Sequence, residues 1–232
     1  MDPSIFDSNN IVFFGGAGVS TESGIPDFRS ADGLYNTPYR YPPETILSHS
    51  FFMSQTREFY RFYRDKLVCT DAKPNLAHIA LAEMERQGKL KAVITQNIDG
   101  LHHMAGSNNV IELHGSIHRN FCMDCNKSYA LEYIMQTDDI PLCICRGIVK
   151  PDVVLFEEGL SEKALIDSIK HISNADMLII GGTSMLVHPA AGLIDYYTGD
   201  KLVVINKTKT HIDHRADAVI YGSIGEVLHA IL

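Results

Sequence analysis

The sequence lacks an apolar run long enough to cross a membrane, since no stretch approaches the roughly 20 apolar residues that a spanning helix needs. Its start, Met1-Asp2-Pro3-Ser4, lacks the basic segment and apolar stretch of a secretory signal. Positive charge is scarce as well, because 20 Lys and Arg stand against 28 Asp and Glu, for a net charge of −8. A non-specific nucleic-acid binder would present a basic face. We therefore expect no direct nucleic-acid partner and no membrane partner, and a cationic partner fits the charge better.

Cysteine is also scarce, and its distribution is uneven. Of the 5 cysteines, all but Cys69 fall between Cys122 and Cys145. This clustering favours metal ligation in a reducing compartment over a disulfide framework, and it predicts a cytoplasmic protein. Cys122 and Cys125 have the two-residue gap of a four-cysteine zinc ribbon, whereas a single residue separates Cys143 from Cys145. We expect one structural zinc ion, with Cys143 at its irregular corner.

Internal repeats and low-complexity linkers are absent, and 232 residues suit one domain with a small inserted module. Near-continuous apolar runs of strand length predict strands buried on both faces of a parallel sheet. These runs are 11–14, 92–94, 177–180 and 202–205, with helical patterns at 75–87 and 161–172. The alternation predicts an α/β fold, with a Rossmann-like parallel sheet and helices on both faces.

Two stretches interrupt this alternation. Residues 32–73 are rich in Tyr and Phe with helical periodicity, and residues 118–150 hold the clustered cysteines. We predict that these two insertions form a small helical and zinc-binding lobe. The single catalytic domain would then span 1–232, with a large lobe of approximately 1–31, 74–117 and 151–232.

Glycines or small polar residues follow all four apolar runs, at 15–18, 95–99, 181–184 and 206–207. The carboxyl ends of parallel strands share one edge of the sheet, where ligands bind in the crevice. Gly16 and Gly18 would let main-chain N–H groups approach a pyrophosphate. Thr21 stands where the dehydrogenase fingerprint has its third glycine, and no acidic residue ends a second strand about 20 residues on. A nucleotide is therefore expected here, bound differently from the dehydrogenase manner.

Five sequence blocks resemble, in order, those of the sirtuins, the NAD-dependent protein deacylases. They are GAGVSTESGIPDFR at 16–29, TQNIDGLH at 95–102, ELHG at 112–115, and two further blocks at 182–190 and 204–206. The resemblance covers nearly the whole chain. It implies NAD as the cofactor and acetylated-lysine proteins or peptides as the partners.

The resemblance also implies roles for individual residues. Those that would bind NAD are Gly16, Ala17, Gly18, Thr21, Phe28, Arg29, Gln96, Asn97, Ile98, Asp99, His114, Thr183, Ser184, Asn206, Lys207 and Ile224. His114, Asn97 and Asp99 would be catalytic. Cys122, Cys125, Cys143 and Cys145 would bind zinc, although the family normally has two residues between the second pair.

The reaction that the resemblance implies needs no protein nucleophile. The acyl-lysine carbonyl oxygen attacks the anomeric carbon of the nicotinamide ribose, nicotinamide leaves, and an alkylimidate forms. His114 then deprotonates a ribose hydroxyl, whose oxygen attacks the imidate carbon, and collapse releases lysine and O-acetyl-ADP-ribose. An imidazole suits this work because its ordinary pKa, about 6.5, lies near neutral pH.

Residues 153–157 alternate like an edge strand and match the segment that pairs with substrate main chain in the family. We therefore predict that Val154, Leu155 and Phe156 bind the peptide, and an ordinary sheet strand is the alternative interpretation of the same pattern.

Two other functions stay open from the sequence. One is an ADP-ribosyltransferase that uses the same crevice. The other is a non-catalytic nucleotide-sensing module, against which the joint presence of His114, Asn97 and Asp99 argues.

The acyl preference is predicted from one helical segment. Relatives that accept succinyl or malonyl groups share a Tyr-x-x-Arg pair that can hold a carboxylate. Here Tyr60 is followed by Tyr63, and Arg61 and Arg64 are expected to face solvent. A one-residue shift of the helix register is the alternative, and it would bring Arg64 inward. We therefore expect acetyl-lysine to be preferred.

Overall fold

The computed structural model describes residues 3–30, 32–36 and 38–232. Its strands are β1 (Ile11–Gly15), β2 (Leu90–Thr95), β3 (Val110–Glu112), β4 (Gly115–Cys122), β5 (Ser128–Tyr129), β6 (Val149–Val153), β7 (Met177–Gly181), β8 (Lys201–Asn206) and β9 (Ala218–Tyr221). Six of them form a sheet in the order β3-β2-β1-β7-β8-β9, and every neighbouring pair is parallel. The other three form an antiparallel sheet in the order β5-β4-β6.

The helices are α1 (Pro43–Ile46), α2 (His49–Ser54), α3 (Thr56–Phe62), α4 (Leu76–Arg86), α5 (Leu101–Ala105), α6 (Leu131–Met135), α7 (Glu162–Asn174) and α8 (Ile224–His229). A wider π-helical turn at Tyr63–Leu67 extends α3. Both long helices begin at a side-chain cap, which satisfies main-chain N–H groups that lack a partner within the helix. Asn75 accepts a hydrogen bond from the Ala77 N–H before α4, and Ser161 accepts one from Ala164 before α7.

The central strands β1 and β7 are buried along their whole length, which explains their uninterrupted apolar sequences. Successive side chains point to opposite faces. Phe14 packs on the side that also contains Ile172 of α7, whereas Phe13 packs with Leu81 of α4 and Leu228 of α8. Helices thus cover both faces, and the prediction of a Rossmann-like sheet is confirmed.

A third hydrophobic cluster lies between the aromatic helices and the antiparallel sheet. Its buried rings include Phe52, Phe59 and Tyr60, which contact one another edge to face. Ile117 and Val149 of the sheet pack against the same cluster. The predicted small lobe, built from a helical and a cysteine-bearing segment, is therefore present.

Within the described part of the chain, no helix has the length and apolar character needed to span a bilayer.

Candidate active site and metal centre

The loops after β1 and β7 approach each other so closely that they require glycine. A Cβ atom at Gly16 would lie 2.8 Å from Thr183 Cβ, and one at Gly18 would lie 2.8 Å from Gly182 Cα. The Gly18 N–H donates to the Gly182 carbonyl at 2.8 Å. Gly182 has φ +61, a conformation that favours glycine. The two glycines of the nucleotide motif therefore have a packing role in this structure.

Thr183 joins the ends of three strands. Its hydroxyl accepts hydrogen bonds from Gln96 Nε2 at 3.1 Å and from the Met185 N–H at 3.2 Å. Its carbonyl accepts one from Asn206 Nδ2 at 3.0 Å. The structure thus brings together three predicted site residues that are far apart in sequence.

Ser20 connects the predicted pair Asn97 and Asp99. The Ser20 hydroxyl donates to Asp99 Oδ2 at 2.6 Å and accepts from Asn97 Nδ2 at 3.0 Å. Since its proton is used on Asp99, Ser20 Oγ acts as an acceptor toward His78 Nε2 at 3.5 Å. His78 Nδ1 in turn accepts from the Asn75 N–H at 3.3 Å. Asn97 and Asp99 are therefore fixed by a buried chain of hydrogen bonds.

Two buried imidazoles lie behind this group. The rings of His78 and His102 are 4.7 Å apart between centroids, and burial lowers the pKa of His78 to about 4. Burial, followed by repulsion from His78, lowers the pKa of His102 to about 3. Both rings are therefore neutral at pH 7.

His114 lies in the turn between β3 and β4, and its orientation is set by one hydrogen bond. Its Nδ1 is 2.9 Å from the Gln96 carbonyl oxygen. A carbonyl can only accept, so Nδ1 carries the proton and Nε2 is left with its lone pair as a proton acceptor. Burial lowers the pKa of His114, which keeps the ring neutral. Gly115 enables this turn, because its φ is +77 and a Cβ there would overlap the Asp152 carbonyl oxygen.

The loop after the first glycines carries Phe28 and Arg29. Arg29 Nη1 reaches Ser184 Oγ at 3.4 Å, and its guanidinium lies 5.5 Å from the Tyr35 ring centroid. The Phe28 ring contacts the same tyrosine edge to face at 5.7 Å. Thr21 Oγ1 donates to the Gly18 carbonyl at 3.0 Å. This loop is thus joined to the loop after β7 through Arg29.

The remaining predicted NAD residues occupy different positions around this edge. Ala17 is half-buried in the first turn, and Ile98 packs against the small-lobe cluster. Ile224 is buried at the start of α8, where a Cβ added to Gly182 would lie 2.8 Å from its Cδ1. Lys207 is exposed directly after β8.

The four clustered cysteines fit one metal ion. Their sulfur atoms all lie within 4.8 Å of one another, and the Cys122–Cys145, Cys125–Cys143 and Cys125–Cys145 sulfur distances are 3.4, 3.5 and 3.5 Å. Four thiolates about 2.3 Å from a tetrahedral zinc ion would be about 3.8 Å apart, close to this arrangement. Cys143 is within the group despite its shortened spacing, whereas Cys69 lies outside it.

A protein-family model described as the Sir2 family matches residues 16–189. This chain belongs to the Sir2 family. Bacterial relatives named NAD-dependent protein deacetylase match the sequence of this chain over nearly their full length. The one from Clostridium acetobutylicum is 60% identical over 232 residues, which cover 98% of this chain and 95% of the relative. The one from Cutibacterium acnes is 51% identical over 229 residues, which cover 98% and 94%.

Solved Sir2 structures have the same fold as this Sir2-family chain. One, described as holding a deacetylated p53 peptide and 3′-O-acetyl-ADP-ribose, matches with a TM-score of 0.91 and 39% identity over 99% of this chain and 95% of that one. Another, described as Sir2 with a p53 peptide and NAD⁺, matches with a TM-score of 0.85 and 39% identity over 98% and 93%. The recognition made from the five sequence blocks is confirmed.

The predicted strand at 153–157 is wrong in its extent. The strand β6 ends at Val153, and Glu157 has φ +77, which is incompatible with a continuing strand. Phe156 makes only an isolated parallel bridge to Ser48. Alternating apolar residues could not reveal this turn, because the turn depends on the Glu157 backbone.

Two polar residues of the site were missed by the sequence analysis. Ser20 lies within the first matched block, and His78 lies on the buried face of a correctly predicted helix. The only sequence signal for His78 was a histidine among the apolar positions of α4. Its contact with Ser20 spans 58 residues of sequence, so spacing alone could not predict it.

Proposed function

We infer that this chain is an NAD-dependent protein-lysine deacetylase that releases nicotinamide, O-acetyl-ADP-ribose and the free lysine. The observation that carries this inference is the His114 side chain, held by the Gln96 carbonyl so that Nε2 can take a proton. Relatives at 60% and 58% identity over nearly the whole chain are named for this activity. NAD supplies a glycosidic bond whose cleavage drives removal of the acyl group.

The NAD-binding roles predicted from the sequence are part of this proposal. Ala17 and Thr21 of the loop 16–21, together with Phe28 and Arg29, would lie over the pyrophosphate and the nicotinamide ribose. Asn97 and Asp99 would hold the carboxamide of nicotinamide, since the Ser20 hydroxyl fixes the Asp99 carboxylate and the Asn97 amide in place. Thr183, Ser184, Asn206, Lys207 and Ile224 would line the adenosine half. The preformed hydrogen bonds support these roles because a rigid site loses little entropy on binding.

His114 would deprotonate a ribose hydroxyl. The hydrogen bond from Nδ1 to the Gln96 carbonyl stabilises the ring in one tautomer and supports the imidazolium that forms when Nε2 takes the proton. Gln96 also donates to Thr183, so the carbonyl that orients His114 belongs to a residue that is itself fixed.

We also propose that the substrate peptide lies along Val154, Leu155 and Phe156. The N–H groups of Val154 and Phe156 already donate to the His114 and Leu47 carbonyls, at 3.0 and 2.9 Å. The Leu155 and Phe156 carbonyls already accept from the Glu158 and His49 N–H groups. An extended peptide would therefore pair by donating an N–H group to the Val154 carbonyl oxygen. Support comes from the direct bond between this segment and the main chain of the proposed base.

The lobe boundaries are proposed as 1–31, 74–117 and 151–232 for the large lobe, and 32–73 and 118–150 for the small lobe. Residues 1, 2, 31 and 37 of these ranges lie outside the described residues. The separate third hydrophobic cluster supports the division. A cytoplasmic location is proposed from the clustered thiols, which suit a reducing compartment.

One experiment tests the function. The purified chain is incubated with NAD and a peptide bearing acetyl-lysine, and nicotinamide and O-acetyl-ADP-ribose are measured by mass spectrometry. We expect equal amounts of both products, and none without the acetyl-peptide. Nicotinamide release without peptide, with transfer of labelled ADP-ribose to protein, would contradict the proposal and indicate a transferase.

A further inference from the structure

Two loops hold the four cysteines, and the second is a shortened form of the first. In the first loop, the Asn126 N–H donates to the Cys122 carbonyl at 3.0 Å, and Asn126 has φ +58. In the second, the Arg146 N–H donates to the Cys143 carbonyl at 2.8 Å, and Arg146 has φ +72. Both loops therefore close on a left-handed residue directly after the second cysteine, but the second loop closes one residue earlier.

The two loops also share their attachment to the following chain. The Cys122 N–H donates to the Lys127 carbonyl at 2.9 Å, and the Cys143 N–H donates to the Gly147 carbonyl at 2.8 Å. The first cysteine of each loop is buried and the second is exposed. The two loops thus share their closing hydrogen bonds and the burial of their cysteines, and the second has one residue fewer between its cysteines.

Removing that residue also removes one main-chain N–H from the vicinity of the sulfur atoms. Between Cys143 and Cys145 only Ile144 supplies an amide, whereas Met123 and Asp124 supply two in the first loop. The hydroxyl of Tyr129 lies 3.0 Å from Cys143 Sγ. A zinc-bound cysteine has lost its proton, so the hydroxyl must donate and the sulfur must accept. Tyr129 thereby supplies a donor to the first sulfur of the short loop.

Contacts other than the one with Cys143 also hold Tyr129 in position. Tyr129 lies in β5 and pairs with Asn120 of β4. Its ring packs on the Tyr133 ring with 4.4 Å between centroids. Lys127 Nζ also contacts the Tyr129 ring, at 5.6 Å from its centroid. The hydroxyl is therefore held ready for the sulfur.

We propose that Tyr129 is an outer-sphere residue of the zinc site, whose hydroxyl supplies Cys143 with a hydrogen bond that compensates for the shortened cysteine loop. A hydrogen bond to a charged thiolate is stronger than one between neutral groups. Loss of such an outer partner typically lowers metal affinity about 10- to 100-fold.

The test compares Tyr129→Phe with Tyr133→Phe in the full chain. Each change removes one hydroxyl from the same ring pair, but the Tyr133 hydroxyl donates to the Leu142 carbonyl at 2.6 Å and not to a sulfur. Zinc affinity is measured by competition with a chromogenic chelator. We expect it to fall about 10-fold or more in Tyr129→Phe and to change much less in Tyr133→Phe.

Replacing zinc with cobalt gives a second measurement, because the position of the charge-transfer bands depends on the electron density at the sulfur atoms. The thiolate-to-cobalt charge-transfer bands should shift in Tyr129→Phe and stay at the wild-type position in Tyr133→Phe. A wild-type zinc affinity and cobalt spectrum in Tyr129→Phe would overturn the proposal. An equal loss of affinity in both variants, with unshifted cobalt bands, would also overturn it by assigning the effect to ring packing.

Discussion

At the scale of single residues, the site depends on side chains that hydrogen bonds to one another hold in place. Ser20 donates to Asp99 and accepts from Asn97, and it also faces His78. Each residue thus has one orientation, because any rotation would leave a buried polar group without a partner, at about 1–3 kcal/mol. The functional side chains are held by neighbours that do not themselves need to touch a substrate.

His114 allows a prediction about pH. Burial lowers its pKa, so the neutral, proton-accepting ring persists below pH 6.5. We expect kcat/KM for an acetyl-peptide to fall on the acid side with a midpoint below 6.5, since that profile reports the free enzyme. In His114→Ala this acid limb should vanish with a loss of about 10²- to 10⁴-fold, while NAD binding by calorimetry is retained. An acid midpoint above 6.5, or full turnover in His114→Ala, would exclude this role.

Gly18 allows a prediction about packing. An alanine here would place Cβ 2.8 Å from the Gly182 Cα. Relieving this contact would require the main chains of the two loops to separate, which costs stability. We expect Gly18→Ala to lower the free energy of unfolding by about 1–3 kcal/mol and to weaken NAD binding. Gly159→Ala is the control, because a Cβ there has no atom within 4 Å among the described residues and its φ is not positive. Urea unfolding should leave this control within about 0.5 kcal/mol of the wild type, and equal loss in both would refute the argument.

At the scale of elements, the sequence predicts a strand or helix best where that element is long and buried. The strands β1, β2, β7 and β8 agree with their apolar runs, and α4 and α7 agree with their helical patterns. The strands β3 and β9 were not predicted, since Val110–Glu112 and Ala218–Tyr221 are short and their residues are mostly half-buried. These segments become strands because they pair with a longer neighbouring strand. The sequence of a short segment alone does not indicate such pairing.

The cysteine loops show the same limit for the site. Their spacing identified a metal site, yet it made Cys143 the irregular ligand because the gap looked one residue too short. The shorter turn that the structure shows brings its sulfur to 3.5 Å from that of Cys125. Turn geometry, which rests on a left-handed residue at Arg146, was the missing information.

The zinc-binding element yields a prediction from that geometry. Cys143 and Cys122 are equally placed as the buried first ligands of their loops. We expect about one zinc per chain by mass spectrometry, and similar losses of zinc content in Cys143→Ser and Cys122→Ser, with folding impaired in both. Cys69→Ser, outside the cluster, is the control and should keep its zinc. Normal zinc content in Cys143→Ser alone would show that Cys143 is not a zinc ligand.

The α3 segment yields the prediction about the acyl group. Tyr63 is fully buried, whereas Arg64 donates to the Ile134 carbonyl at 2.9 Å and the Asp139 carbonyl at 2.6 Å. The expectation that Arg64 faces solvent holds only in part, because the side chain is half-buried and fastens α6 and the loop that follows. Arg61 pairs with Glu58 at 3.2 Å on the surface.

Neither arginine is thus available to pair with a carboxylate in the acyl pocket. We expect kcat/KM for an acetyl-peptide to exceed that for the same peptide with succinyl-lysine by at least about 10-fold, because an unpaired buried carboxylate is costly. A preference for succinyl would show that a different cation lines the pocket.

At the scale of the whole molecule, the net charge of −8 predicts how substrates are attracted. A negative field raises the encounter rate of positively charged peptides and slows that of negative ones. The effect should act on association rather than on the chemical step, so it belongs to kcat/KM and not to kcat.

The prediction compares two acetyl-lysine peptides that differ only in flanking residues, two lysines in one and two glutamates in the other. At low salt we expect kcat/KM to be higher for the lysine peptide, by roughly 10-fold, with similar kcat. Raising the ionic strength to 1 M shortens the screening length to about 3 Å and should remove most of the difference. A difference that persists at 1 M salt would instead indicate direct contacts between the flanking side chains and the cleft.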